Sequence, residues 1–350
     1  MELARSNLLE LVKHLGHRKV HAPKRGSLAY LPRGRASHWV GRIRAWPEVE
    51  AGPRLLAFAG FKAGMTYALA IDNRQGSMTF GKEIVIPLTT LETPPMLACT
   101  LRAYTKTYEG LQTFGEAWME KPPKDFERVI SVPEKFSTEE GLRKIEAKLD
   151  KLEELRLVMA TQPRLVKHRK KDPDMIEVKI GGGTIKDRFE YAKKLLGTEV
   201  KVSDFVKDGQ AVDAIAITKG KGIQGPVKRW GIRRKIHKAR KTVRQVGSIG
   251  GWTPHYVMYS VPRAGQMGFH QRTEYNKLVI KVGNNGSDIT PKGGFLRYGV
   301  INSDYVALKG TVPGTTNRII LMRLAIRPPP EEKQAAPKLE YVSLASPQGG

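Results

Sequence analysis

The chain has 350 residues, more than one domain usually needs, and its 60 Lys+Arg against 34 Asp+Glu give a formal charge of +26. A surface carrying that field asks for a polyanion. No apolar run approaches the roughly 18 residues of a spanning helix and no signal-peptide pattern opens the chain, so a membrane is set aside and the sequence reads as cytosolic. Cys99 is the single cysteine, which removes disulfides and four-thiol zinc sites together. Flanked by Met96, Leu97, Ala98 and Leu101, it reads as a buried, inert thiol.

In chain order, residues 1–48 form a basic N-terminal extension. Leu11 to Pro47 holds nine Lys+Arg and no acid, with His14, His17, His21 and His38 among them. His17, Arg18, Lys19, Lys24, Arg25, Arg33 and Arg35 are candidate RNA contacts. A metal site at His14, His17 and His21 lacks the Cys or acidic cluster that would complete it.

Residues 49–110 begin a β barrel, with alternating, β-branched runs at Leu55–Phe58, Met65–Ile71, Glu83–Leu88 and Ala98–Tyr104. Residues 111–165 read as a helical insertion. Ser137 and Glu140 fit a capping box, and Leu142, Ile145, Leu149 and Leu152 recur at helical spacing. The second part of the barrel, 166–218, has strands at Met175–Ile180 and Val212–Thr218, and a helix over Lys186–Leu196 stopped by Gly197. Gly181-Gly182-Gly183-Thr184 lacks the Gly-Lys-Ser/Thr ending of a phosphate loop and reads as a turn between strand and helix.

A basic finger loop occupies residues 219–274. From Ala214 to Thr273 no Asp or Glu occurs while thirteen residues are Lys or Arg, eleven of them between Lys219 and Arg244. A solvated face mixes both signs. This run does not, and it interleaves aromatics with the charge, so phosphate neutralisation and base stacking share one strip. Candidate contacts are Lys219, Lys221, Lys228, Arg229, Trp230, Arg233, Arg234, Lys235, His237, Lys238, Arg240, Lys241 and Arg244. Trp252, His255, Arg263, His270 and Arg272 follow. For Trp230 and Trp252 a local packing role stays open beside the RNA reading. Glycines before the run and around Trp252 permit tight turns and close backbone approach.

The third part of the barrel, 275–326, has strands at Leu278–Val282, Tyr305–Leu308 and Arg318–Ile326, and the Pro-rich tail 327–350 reads as surface-hugging or disordered. The fold class is mainly β with an α insertion. No nucleophile elbow, Walker sequence, zincin helix or deaminase signature appears, so neither an enzyme nor a cofactor, metal or small-molecule substrate is expected. A nucleic-acid-modifying enzyme, a translation factor and a basic architectural protein are the alternatives.

Four long motifs carry a family resemblance across nearly the whole chain: HRKVHAPKRGSLAYLPRGRA (17–36), FAGFKAGMTY (58–67), TKGKGIQGPVKRWG (218–231) and GSIGGWTPHYVMYSVPRAGQMGFHQRTEYN (247–276). They resemble the third universal protein family of the large ribosomal subunit, in its archaeal and eukaryotic form, with the length of an archaeal member. The resemblance implies a translation-type β barrel on the subunit surface and a role as a structural, early-assembling constituent. It implies binding to large-subunit ribosomal RNA near its 3′ end, with the N-terminal extension and finger reaching toward the peptidyl-transferase region. In the family a loop-tip tryptophan lies close to the catalytic RNA, and Trp252 is the matching residue. Neighbouring large-subunit ribosomal proteins contact the barrel. Eukaryotic members can carry a modified histidine in the basic loop; the register places Arg240 there, so that modification is not carried over.

Overall fold

The structure is a computed structural model that describes residues 26–74, 76–131, 137–166, 170–239, 241–330 and 336–346. Two compact units divide it: unit 1 comprises Met1–Arg35 with Gly220–His270, and unit 2 comprises Ala36–Lys219 with Gln271–Gly350.

Fifteen strands are described. The first eight are β1 (Arg54–Leu55), β2 (Ala57–Ile71), β3 (Glu83–Glu92), β4 (Met96–Thr107), β5 (Gly110–Trp118), β6 (Glu154–Ala160), β7 (Met175–Gly181) and β8 (Glu199–Val200). Then come β9 (Ala211–Ile217), β10 (Ile223–Gln224), β11 (Gly265–Gln266), β12 (Gln271–Gly283), β13 (Tyr305–Lys309), β14 (Ile319–Leu324) and β15 (Lys338–Val342). The described α-helices are α1 (Thr138–Glu146), α2 (Ile185–Leu195) and α3 (Pro226–Trp230).

In unit 2, β14-β9-β12-β13-β3-β2 run side by side, all antiparallel, and β2 pairs back onto β14 to close a six-stranded barrel. Closure leaves no open edge among these six. Strand β2 is 15 residues long, so its first part pairs with β14 and its later part with β15. A second antiparallel sheet runs β1-β7-β6-β4-β5, with β8 on β4. One buried apolar cluster is shared by both sheets; it includes Phe58, Leu101, Leu157, Val178, Ile215 and Met322. All seven residues of β9 are buried.

Two of the expected organisational features change. Strands at Ala98–Tyr104 and Met175–Ile180 exist, but they belong to the second sheet and not to the barrel. The expected helical insertion is only partly helical: β6 and all but the first residue of β5 lie inside it, and α1 is a nine-residue helix that ends at Glu146. Ile145 is buried and Leu142 packs on the core, yet Leu149 lies in a 3₁₀ turn, Leu152 lies beyond it, and Ser137 makes no side-chain capping bond. Tertiary pairing with β4 outweighs the local helical spacing of these leucines. Of the two readings of the tail the surface-hugging one fits, because β15 is a largely exposed strand laid on β2.

Other local expectations hold. Helix α2 starts with a Thr184–Asp187 capping box, and Gly197 follows it at φ 81°. Gly181 to Thr184 is therefore the strand-to-helix turn. Cys99 is buried, donates to the Leu97 carbonyl at 3.2 Å, and burial pushes its thiol up to about 12.

The expected N-terminal extension ends early, since the chain joins unit 2 from Ala36. Val40, Ile43 and Trp46 pack on the main core. A Cβ on Gly41 would lie 3.0 Å from Ile215 Cγ2, so this strap passes over β9 where only a bare backbone fits. A buried carboxylate ties the strap down. Asp213 on β9 accepts from Arg323 Nη2 on β14 at 2.6 Å, while Arg323 Nη1 donates to the Ala45 carbonyl at 2.7 Å. Asp213 also takes the N–H of Asn276 at 2.9 Å, where β12 bulges and Asn276 turns to φ 53°.

Removing one partner of such a buried pair leaves a charge without compensation. Asp213→Ala should cost about 3–5 kcal/mol of stability, read as the urea-unfolding midpoint of unit 2, and adding Arg323→Met should recover much of it. Little loss on the single change would show that the pair does not fasten the strap.

Glu92, at the end of β3, is fully buried and accepts from Tyr298 Oη at 2.6 Å and from the N–H groups of Asn302 and Ser303 at 2.8 and 2.9 Å. Burial raises its pKa, and those three donors offset only part of the rise. The folded state then holds this proton more tightly than the unfolded chain, so its stabilising contribution is present at low pH and is lost as pH rises through the raised pKa. Relative to Glu92→Gln, the wild type should lose stability over that window as pH increases; parallel curves for the two proteins would refute the shift.

Candidate nucleic-acid interface

The described part of unit 1 is built without carboxylates. Residues 26–35 and 220–270 contain no Asp or Glu. The described ion pairs, from Arg74–Asp72 to Arg323–Asp213, all lie in unit 2. Two arginines of unit 1, Arg33 and Arg229, are held by carbonyl dipoles and a ring face instead.

The centre of that arrangement is Trp230, 5% exposed at the end of α3. Pro226 opens this one-turn helix and Gly231 ends it at φ 64°, the left-handed position that favours glycine. The indole Nε1 donates to the Arg263 carbonyl at 2.9 Å. The Arg33 guanidinium lies 4.0 Å from the ring centroid and that of Arg229 lies 5.3 Å from it. Arg229 donates to the carbonyls of Gln266 and Arg263, both at 3.1 Å, and Arg33 donates to the Arg229 carbonyl at 3.1 Å. A Cβ on Gly26 would lie 2.9 Å from the indole, so the chain preceding Ser27 closes over the ring only as glycine. Burial and the neighbouring Arg33 charge lower the Arg229 pKa.

The loop from 231 to 264 has little regular structure among its described residues; its backbone bonds include Lys235 N–H to the Val243 carbonyl at 3.1 Å and the turn bonds of Ala239 to Ile236 and Val261 to Met258. Its base is the short antiparallel pair β10–β11. Lys221, Lys228, Arg233, Arg234, His237, Lys238, Lys241, Arg244, His255 and Arg263 are exposed; Lys235 is half-buried. Trp252 is 86% exposed, with His255 edge-on at 5.7 Å. Because no described carboxylate of unit 1 neutralises these groups, the surface offers phosphate sites and a free indole face together.

The other sequence-derived candidates separate. Trp230 is a packing residue and not an open stacking face, and His270 is buried with Nδ1 2.7 Å from the Gly34 carbonyl. Neither side chain presents an open face for RNA in this structure. Arg33, half-buried on Trp230, is held in the same way, while Arg35 is exposed. Lys219 (exposed) and Arg272 (half-buried) belong to unit 2. His17, Arg18, Lys19, Lys24, Arg25 and Arg240 lie outside the described residues, as do His14 and His21. Tyr256 and Tyr259, at 68% and 75% exposure, were not among the candidates. Their alternation with His255 and Met258 just after Trp252 was the available signal. Among the described residues no cluster of three or more His, Cys, Asp or Glu is placed to hold a metal, and no helix is long and apolar enough to cross a membrane.

The profile described as ribosomal protein L3 matches residues 15–349. The large ribosomal subunit protein uL3 of Archaeoglobus fulgidus is 48% identical over 335 residues, covering 95% of this chain and 99% of that protein. The protein of the same name from Methanopyrus kandleri is 47% identical over 340 residues (95% and 93%), and that of Methanothermobacter thermautotrophicus is 44% identical over 334 (94% and 98%). With the profile spanning almost its full length and such identity to archaeal relatives, the chain belongs to the ribosomal protein L3 family.

Proposed function

We propose that this chain is a structural constituent of the large ribosomal subunit, in the cytoplasmic ribosome, and that unit 1 binds large-subunit ribosomal RNA. One observation carries the RNA reading: the described part of unit 1 holds no carboxylate, while the described ion pairs lie in unit 2. A surface of one sign, stabilised internally by carbonyls, keeps its charge available to phosphate. As a member of a family of structural ribosomal proteins, the chain is not an enzyme. The exposed Trp252 and the family likeness support a loop that reaches toward the peptidyl-transferase region, with contact near the RNA 3′ end during early assembly and neighbouring ribosomal proteins on unit 2.

Binding of the full chain to a large-subunit ribosomal RNA fragment should weaken steeply with salt, with a log–log slope of roughly −0.7 to −0.9 per phosphate contacted. Alanine at Arg233, Arg234 and Lys235 together should flatten that slope by about two to three units if each meets one phosphate. Equal affinity for duplex DNA at the same salt would favour a generic architectural binder.

The two tryptophans should separate cleanly. Trp252→Ala should leave thermal stability unchanged and slow peptide-bond formation or transfer-RNA accommodation in reconstituted subunits. Trp230→Ala removes a buried ring and should destabilise unit 1 by about 3–5 kcal/mol, seen as faster hydrogen exchange of its amides. A melting loss for Trp252→Ala, or none in exchange for Trp230→Ala, would reverse the roles assigned here.

A further inference from the structure

Unit 2 carries a cleft of about 570 Å³ at the point where β2 bulges between Lys62 and Gly64. Residues 295–297 and 314–317 supply its other walls, together with Lys219 just beyond the end of β9. These walls are tied to one another. Lys62 Nζ donates to the carbonyls of Val312 and Gly314 at 2.7 and 3.2 Å, and the Asn317 N–H donates to the Lys62 carbonyl at 2.9 Å. Asn317 Nδ2 donates to the Arg297 carbonyl at 2.9 Å. A Cβ on Gly64 would lie 2.4 Å from the Phe295 ring, so that ring packs on bare backbone.

Arg297 and Asn317, joined by that bond, both hold left-handed backbone, at φ 65° and 67°. The conformation is uncommon for a residue such as arginine. Strained residues of this kind gather where a structure keeps a site in shape.

The cleft offers donors without acceptors. Lys219 and Arg297 are exposed, and among the described residues neither forms an ion pair or a side-chain hydrogen bond. The hydroxyls of Thr315 and Thr316 likewise make no hydrogen bond among the described residues. No Asp or Glu lines the cleft. Burial lowers the pKa of Lys62 against the opposing pull of Glu274, and Glu274 is itself taken up by Lys277 at 2.6 Å.

An ammonium, a guanidinium and two hydroxyls around one cleft without a carboxylate recognise an anion, and these are the side chains that contact phosphate oxygens in nucleic-acid complexes. Met65 and Leu296 line the same cleft as exposed apolar surface, which suits the carbons of a ribose and not a free anion. We infer that this cleft binds one phosphodiester of an RNA backbone, with Lys219 and Arg297 neutralising it and Thr315 and Thr316 donating to its oxygens. This rests on the RNA-binding reading above, and it adds a contact in unit 2 independent of the loop that bears Trp252.

The test uses the full chain and a large-subunit ribosomal RNA fragment, with salt dependence and phosphate-ethylation interference as readouts. Replacing Lys219 and Arg297 together by glutamine should flatten the log–log salt slope by roughly 0.7 to 0.9, the share of one phosphate. The same variant should lose one interference position while keeping those that depend on Arg233, Arg234 and Lys235, with the melting temperature unchanged. Exchanging the two cations, Lys219→Arg with Arg297→Lys, should keep both the slope and the position. An unaltered slope and interference map in the glutamine variant, or a lowered melting temperature in both variants, would overturn the assignment. So would a glutamine variant that binds RNA like the wild type but loses affinity for polyglutamate, which would mark a site for acidic protein. A wild type that binds no RNA in a salt-dependent way would overturn the RNA-binding reading itself; that result is distinguishable, because alanine at Arg233, Arg234 and Lys235 would then also be without effect.

Discussion

The structure depends on how 60 cationic side chains are accommodated beside 34 acidic ones. A folded domain tolerates like charges only where opposite charges or dipoles face them. This chain separates the two solutions. Unit 2 takes the carboxylates and forms ion pairs, such as the Arg156–Glu154–Lys179 cluster on the second sheet and the buried Asp213–Arg323 pair. Described unit 1 has none to use, and it organises Arg33 and Arg229 around Trp230 with backbone carbonyls.

That separation has a consequence for function. A guanidinium satisfied by carbonyls keeps its full charge, so packing in unit 1 does not spend the field that attracts RNA. Buried indole and exposed indole thereby acquire different tasks within one segment. Trp230 holds the base of the loop through its N–H bond to Arg263, and Trp252 is left as a free face.

Unit 2 supplies rigidity of a different kind. Its barrel closes on itself through β2 and β14, and its core is continuous with that of the second sheet. The strap 36–48 illustrates how such a core recruits a basic segment. Three apolar side chains, the Ala45 carbonyl and the Arg42 backbone on Gln271 fasten it, while the side chains of Trp39, Arg42 and Arg44 are exposed.

By itself the sequence determined the charge map, the mainly β class, helix α2 with its glycine stop, and the inert Cys99, because each of these depends on local composition, alternation or capping chemistry. Motif length made the family legible as well. Strand partnership was decided only by the tertiary structure. Ala98–Tyr104 looks the same in a barrel as in a second sheet, since alternation records that a face is buried and not which strand lies beside it. The leucines near 149 and 152 satisfied helical spacing until pairing of β6 with β4 claimed the following residues. Trp230 and Trp252 are equally plausible stacking residues in a string of cations. What divides them is the surroundings: Arg33, distant in sequence, closes over one ring, and among the described residues nothing comparable closes over the other. Burial is a property of the assembled chain, and no spacing between two tryptophans encodes it.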